Sequence, residues 1–315
     1  AQFTKLQVTP SPLPNTPGNF VNVGGTLFFT ATDTDHGEEL WKTDGTVGGT
    51  VLVKDIHMGA TGSNPSKLTA VGSKLFFRAD DGTNGTELWV SDGTPSGTVM
   101  LEINSGAGSS LPDNITAMGG IAYFQASNGT DGYELWRSDG TTGFTHTYMV
   151  KDINTTGDSN PLSMTVVGTT LYFQANNGVN GRELWKSDGT PGGTLLVYDI
   201  NSGMGNSDPL KLIALNGIVF FVATDGSHGR ELWRSDGTVN DAAHTYMVKD
   251  INVGSGFSDP NYLTVFNNTL YFAADDAGGG VNTELWTSDG TGAGTIIVKD
   301  INMTGASSPA DITVF

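Results

Sequence analysis

The tripeptide Glu-Leu-Trp recurs six times, beginning at Glu39, Glu87, Glu134, Glu183, Glu231 and Glu284, and these copies hold all six tryptophans of the 315-residue chain. The spacings between copies are 48, 47, 49, 48 and 53 residues. A repeat of this length is one supersecondary unit, which cannot bury its apolar face alone and must stack on its neighbours. The content of the unit decides its type. In the second repeat, strand-like runs cover 68–71, 74–80, 85–91 and 98–103, separated by Gly, Asp, Asn, Ser and Pro. Four short strands per period make one propeller blade. No segment sustains a 3.6-residue apolar period, so almost no helix is expected. The expected fold is all-β, a six-bladed β-propeller of four-stranded antiparallel blades. It would be a single domain over 1–315, with repeats at roughly 19–66, 67–113, 114–162, 163–210, 211–261 and 262–310.

The turns support this reading. Asp-Gly follows each tryptophan strand, at Asp44, Asp92, Asp139, Asp188, Asp236 and Asp289, where glycine adopts positive φ at little expense. A Gly/Ser/Asn stretch then leads to Pro65, Pro112, Pro161, Pro209, Pro260 and Pro309, each stiffening a crossover. Insertions at 144–146, 241–244 and 278–281 lengthen loops, where repeat proteins place binding specificity. Residues 4–8 read like the fourth strand of a blade and 311–315 like the first strand of a seventh. Three readings follow. One terminus completes a blade begun by the other, the chain is part of a longer array, or the spare strands pair between molecules.

Composition narrows the function. The net charge of −18 disfavours nucleic acid and anionic membrane surfaces. Eighteen of the 33 acids sit at three fixed positions of the repeat, namely the Glu of Glu-Leu-Trp, the Asp of Asp-Gly-Thr and the acid of the Val-Lys-Asp-Ile segment. The acid therefore belongs to the blade and is not a solvating tail. Cysteine is absent, which rules out disulfides and thiolate chemistry. No apolar run reaches the roughly 18 residues of a spanning helix, so no membrane insertion is expected. The Gly/Asn/Ser/Thr-rich composition and the Ala1-Gln2 start point to a secreted or cell-surface protein.

The unit E-L-W-x-x-D-G-T, followed by G-T and V-K-D-I-N, resembles the bacterial ELWxxDGT repeat proteins across nearly the whole chain. That resemblance implies a secreted or surface-attached β-propeller-like protein. It implies no shared catalytic residue set. The sixth copy departs from the pattern, with residues 277–280 lengthening the loop before its Glu-Leu-Trp.

Several repeated residues suit a specific chemistry, and each also suits a structural role. The loop before Glu-Leu-Trp places Asp33, Asp81, Asp131, Asp225 and Asp276 near glycines, a donor set that suits calcium. The competing reading is that Asp and Asn there simply cap the turn. The repeated Glu and Asp mimic a glycosidase pair, but an active site occurs once, so these acids are expected to satisfy buried backbone donors. A sialidase-like site would need converging arginines, whereas Arg137, Arg182, Arg230 and Arg234 repeat with the blade. The tryptophans are expected in the core. Tyr133, Phe144, Tyr148, Tyr246, Phe257 and Tyr262 are less regular and are the candidate ligand contacts. The expectation is a non-catalytic structural or adhesive module that self-associates through its terminal strands. The alternative is a lectin that binds surface glycans with calcium assistance.

Overall fold

The computed structural model describes residues 17–276 and 282–314. The fold class is the one the repeat predicts: all-β, six four-stranded antiparallel blades of the β-propeller kind, with no helix among the described residues. The blades span 18–54, 66–101, 113–151, 162–198, 210–249 and 261–299 and are numbered 1 to 6 in that order. Among the described residues, every sheet takes its four strands consecutively from one repeat. Residues 4–8 and 278–281, singled out above, lie outside the described residues. The chain forms two compact units, Ala1–Asp152 with blades 1 to 3 and Ile153–Phe315 with blades 4 to 6.

Each blade is built the same way. The tryptophan of the third strand faces a phenylalanine of the second, as in Trp89 opposite Phe77 and Trp233 opposite Phe221. The alternation of a strand then sends neighbouring residues to opposite faces. One face carries five apolar side chains that pack on the next blade. In blade 1 these are Val23, Phe28, Leu40, Val53 and Ile56, which meet Leu75, Phe77, Ala79 and Trp89 of blade 2. Blade 2 meets blade 3 in the same way, with Leu88 and Ile103 against Phe124 and Trp136. In the second unit, blade 4 packs Leu184 and Ile200 on Phe221 and Trp233 of blade 5. Blade 5 packs Leu232 and Ile251 on Phe272 and Trp286 of blade 6. Fully burying one such large apolar side chain contributes roughly 1.5–3 kcal/mol, so these interfaces dominate cohesion within each unit.

The first strand of every blade carries a bulge at its second residue. There Asn19, Lys67, Asn114, Ser163, Lys211 and Tyr262 take φ between 54° and 57° and the register to the second strand slips. A bulge leaves one residue unpaired and bends the strand. The residue before each crossover proline is also left-handed, from Asn64 at 51° to Ser308 at 49°. The C-terminal residues repeat both features, since Asp311 has φ of 48°. Thr264 Oγ1 donates to the carbonyl of Ile312 at 2.7 Å, just as Thr165 Oγ1 of blade 4 donates to that of Leu212 of blade 5 at 3.0 Å. Residues 311–314 thus lie on blade 6 where a first strand lies on its predecessor. Beneath them is a cavity of about 390 Å³ lined by Phe266, Tyr271, Leu285 and Val314.

Candidate functional site

The Glu of Glu-Leu-Trp is fully buried in every blade. Its partners come from the crossover that leaves the blade. Glu183 accepts from the Ser207 hydroxyl at 2.6 Å, the Ser207 N–H at 3.0 Å and the Ile200 N–H at 2.9 Å. Glu87 accepts from the Ser110 hydroxyl at 2.7 Å and from the Ser110 and Ile103 N–H groups. Glu39 is held likewise by Ser63, Glu231 by Ser258 and Glu284 by Ser307. These serines stand two residues before each crossover proline, in a Ser-x-Pro pattern that the sequence carries at every copy. The carboxylate therefore ties the crossover to the third strand. This latch confirms the expectation that the repeated Glu satisfies buried donors.

Burial sets the electrostatics of the latch. It pushes Glu87 and Glu183 up to about 7, against the opposing pull of the hydrogen bonds from Ser110 and Ser207. Glu39 and Glu231 are raised for the same reason. In Glu284 burial acts too, but the bonds from Ser307 and the Ile301 N–H outweigh it and hold the group below the usual value. A glutamate with a raised folded-state pKa contributes stability that is complete below its unfolded value of 4.5 and is lost as pH rises through about 7. The turn aspartates, such as Asp92 and Asp188, are lowered by hydrogen bonds from Thr94 and Thr190. Their contribution is present above the unfolded value of 3.8 and is lost as pH falls through their depressed values. The melting temperature is therefore expected to peak between pH 3.8 and 4.5 and to fall as pH rises from 4.5 through about 7. Calorimetric scans across pH would contradict this if stability rose over that interval.

The Asp of Asp-Gly-Thr behaves differently from expectation. Asp44, Asp92 and Asp188 are exposed, and each caps its own turn by accepting from the Thr N–H and hydroxyl two residues on. They do not reach buried donors, because the turn projects them past the end of the sheet. The glycine that follows has φ of 89° in both Gly93 and Gly189. Its carbonyl is grasped by a cation of the preceding blade, Lys42 Nζ to Gly93 O at 2.7 Å and Lys186 Nζ to Gly237 O at 2.7 Å.

The calcium candidates sit on separate blades. Asp33 Oδ1 accepts from the His36 and Asp35 N–H groups, and its other oxygen lies 2.8 Å from His36 Nδ1. Asp81 is used in the same way by Asn84 and Thr83, and Asp225 by His228 and Ser227. In blade 3 the roles reverse, with Asn128 capping the turn and bonding Asp131 at 2.7 Å. Asp276 bonds Asn282. Among the described residues no three His, Cys, Asp or Glu side chains gather in a metal-holding group. Two repeated polar features there lack a partner: one carboxylate oxygen of Asp55, Asp152, Asp199 and Asp250, and the indole nitrogen of every tryptophan except Trp89.

The aromatic candidates fall in both compact units, and each has its own surroundings. Tyr148 stacks on Arg137 at 5.4 Å, and Tyr246 occupies the equivalent place on Arg234 at 5.4 Å. Phe257 lies over Arg230 at 5.6 Å, and that arginine pairs with Asp259 at 2.7 Å. Tyr133 begins the third strand of blade 3 opposite Ser127. Tyr262 occupies the bulge of blade 6 and is partly exposed. Phe144 is 76% exposed and lines a depression of about 240 Å³ with Met100, Glu102 and Thr142. The tryptophans are buried in the core, as expected.

No protein-family model matches the sequence and no curated protein matches it. Among solved structures, the chain is similar to the computationally designed Ika8 protein, with 15% identity, a TM-score of 0.47, and 92% of this chain and 76% of that one covered. It is similar to a puromycin hydrolase mutant complexed with PGG at 15% identity and a TM-score of 0.45, with 82% and 42% covered. A Mycobacterium tuberculosis puromycin-hydrolyzing peptidase is matched at 11% identity and a TM-score of 0.47, with 90% and 44% covered. The chain spans less than half the length of these two hydrolases.

Proposed function

We propose that the chain is an ELWxxDGT-type repeat protein that acts as a non-catalytic structural or adhesive module outside the cell and associates with itself. The observation that carries this reading is the Glu–Ser latch, met in the same form at Glu39, Glu87, Glu183, Glu231 and Glu284. At these five copies the acids that could act as general acid or base are held in structural hydrogen bonds, and a reaction needs one distinct constellation. The turn aspartates are engaged in the same manner, which leaves the blade surfaces as the working feature. The secreted location follows from the composition and the resemblance of the repeat.

A glycan-array screen of the purified chain, with calcium and again with chelator, tests the reading. No saturable binding is expected in either condition. Saturable binding to one glycan class would replace the structural reading with a lectin. Its loss in chelator would make the loop aspartates Asp33, Asp81 and Asp225 metal ligands in place of turn caps.

A further inference from the structure

The fourth strand of most blades ends on a lysine, and that lysine serves the next blade. Lys54, Lys151, Lys249 and Lys299 stand opposite the leucine of Glu-Leu-Trp in blades 1, 3, 5 and 6. The Lys54 ammonium donates to the carbonyl of Thr98 in blade 2 at 2.8 Å and lies 5.6 Å from the ring of Trp89. Lys249 reaches Thr295 and Trp286 of blade 6 in the same way, at 2.8 Å and 5.6 Å. A carbonyl oxygen and an indole face together make a site for one ammonium. Blade 2 supplies no such cation to blade 3. Its fourth strand runs without the register shift of the other five, and Leu101 stands opposite Leu88 in the place of the lysine.

The receiving end on blade 3 is nevertheless built. Thr147 bonds Ser138 through its hydroxyl at 2.7 Å, just as Thr98 bonds Ser91 and Thr295 bonds Ser288. Where a lysine would cross, there is the depression of about 240 Å³ lined by Met100, Leu101, Glu102, Thr142, Phe144 and Thr147. All of these residues belong to one compact unit. An acid stands at the lip, since Glu102 is exposed and accepts the Gly106 N–H at 3.3 Å from one oxygen. The inserted loop of blade 3 adds the exposed ring of Phe144. That loop is pinned by the His146–Asp139 pair at 2.7 Å and by the His146 N–H on the Gly143 carbonyl at 3.0 Å, so little ordering is left to be done on binding. Blade 4 also lacks the lysine, but there Tyr198 takes its place and packs on the core shared with blade 5.

We propose that the depression between blades 2 and 3 binds an exposed lysine side chain of a partner polypeptide, in the place that the chain's own lysine takes at other blades. The Thr147 carbonyl accepts from the ammonium, Glu102 balances its charge, and the Phe144 ring covers the aliphatic stem. Two observations select this occupant. The ligand that the fold itself places at Thr98 and Thr295 is a lysine ammonium. The net charge of −18 draws basic partners and repels acidic ones. The inference rests on the adhesive reading above and names the chemistry of a partner for it.

Titration of the full chain with the peptide acetyl-Gly-Gly-Lys-Gly-Gly-amide tests the proposal, read by NMR shifts of the Met100 and Thr147 methyl groups and the Phe144 ring in about 0.15 M salt. Saturable shifts at these three residues are expected, and they should weaken as salt is added. The same peptide carrying Nε-acetyl-lysine is expected to leave them unmoved. Phe144→Ala and Glu102→Gln are each expected to weaken binding about two- to fivefold, the range for an exposed cation–π contact or ion pair. Inserting one lysine between Leu101 and Glu102 restores the pattern of the other blades and is expected to abolish binding by filling the site. The absence of saturable shifts would overturn the proposal, as would equal binding of the acetylated peptide, shifts spread over the acidic surface, or undiminished binding by the Phe144→Ala or insertion variants. A response to free butylamine without one to the peptide would overturn the polypeptide as the source of the ammonium. The titration and the glycan screen read different ligands, so failure here and failure of the structural reading are separately visible.

Discussion

Truncating Trp89 to alanine is expected to cost about 3–5 kcal/mol, the range for deleting a large buried aromatic. The side chain is 5% exposed and sits in the cluster joining blades 1 and 2, against Phe28, Leu40 and Val53. It also donates its indole N–H to the Ala79 carbonyl at 3.2 Å and carries the Lys54 ammonium over its ring. No small side chain replaces these contacts, and the strands on either side cannot collapse without breaking their ladders. A loss of this size is a large share of the 5–15 kcal/mol that holds a typical domain together. Urea unfolding of the variant checks it. The exposed aromatic Phe144 supplies the comparison, since its alanine variant should lie within about 0.5 kcal/mol of wild type. Equal effects at the two positions would show that the tryptophan is not a core residue.

The second large effect is expected at the latch. Glu183→Leu removes the acceptor for the Ser207 hydroxyl and for the Ser207 and Ile200 N–H groups, all in a buried setting. Each donor left without a partner costs about 1–3 kcal/mol, so the variant should lose at least about 3 kcal/mol. Glu183→Gln keeps one oxygen and should fall between leucine and wild type. Its deficit should shrink at high pH, where burial makes the ionised wild-type side chain less favourable; burial has pushed that group up to about 7.

Much of this architecture was legible in the sequence because its signals are local. The Glu-Leu-Trp strand, the Asp-Gly turn and the crossover proline each occupy a few consecutive residues, and repetition removes chance matches. The serine of the latch was equally repeated, as Ser63, Ser110, Ser207, Ser258 and Ser307. It was missed because its partner lies more than twenty residues away, as in the 24-residue separation of Glu183 and Ser207, and no local pattern announces such a pairing. The exposed position of Asp44 and its counterparts was misread for a related reason, since burial depends on where a turn projects. The candidate aromatics were chosen for irregularity. Tyr148 and Tyr246 prove to be equivalent positions, each stacked on the arginine that its own blade provides.

The claim that the repeat's acids build the blade is tested most directly by a double-mutant cycle on Glu183 and Ser207. Unfolding free energies would be measured for Glu183→Gln, Ser207→Ala and the pair. Residues in direct hydrogen-bond contact couple by about 0.5–3 kcal/mol, and a coupling in that range is the predicted result. Additive losses, with no coupling between the two positions, would contradict the latch and reopen Glu183 as a group with another role.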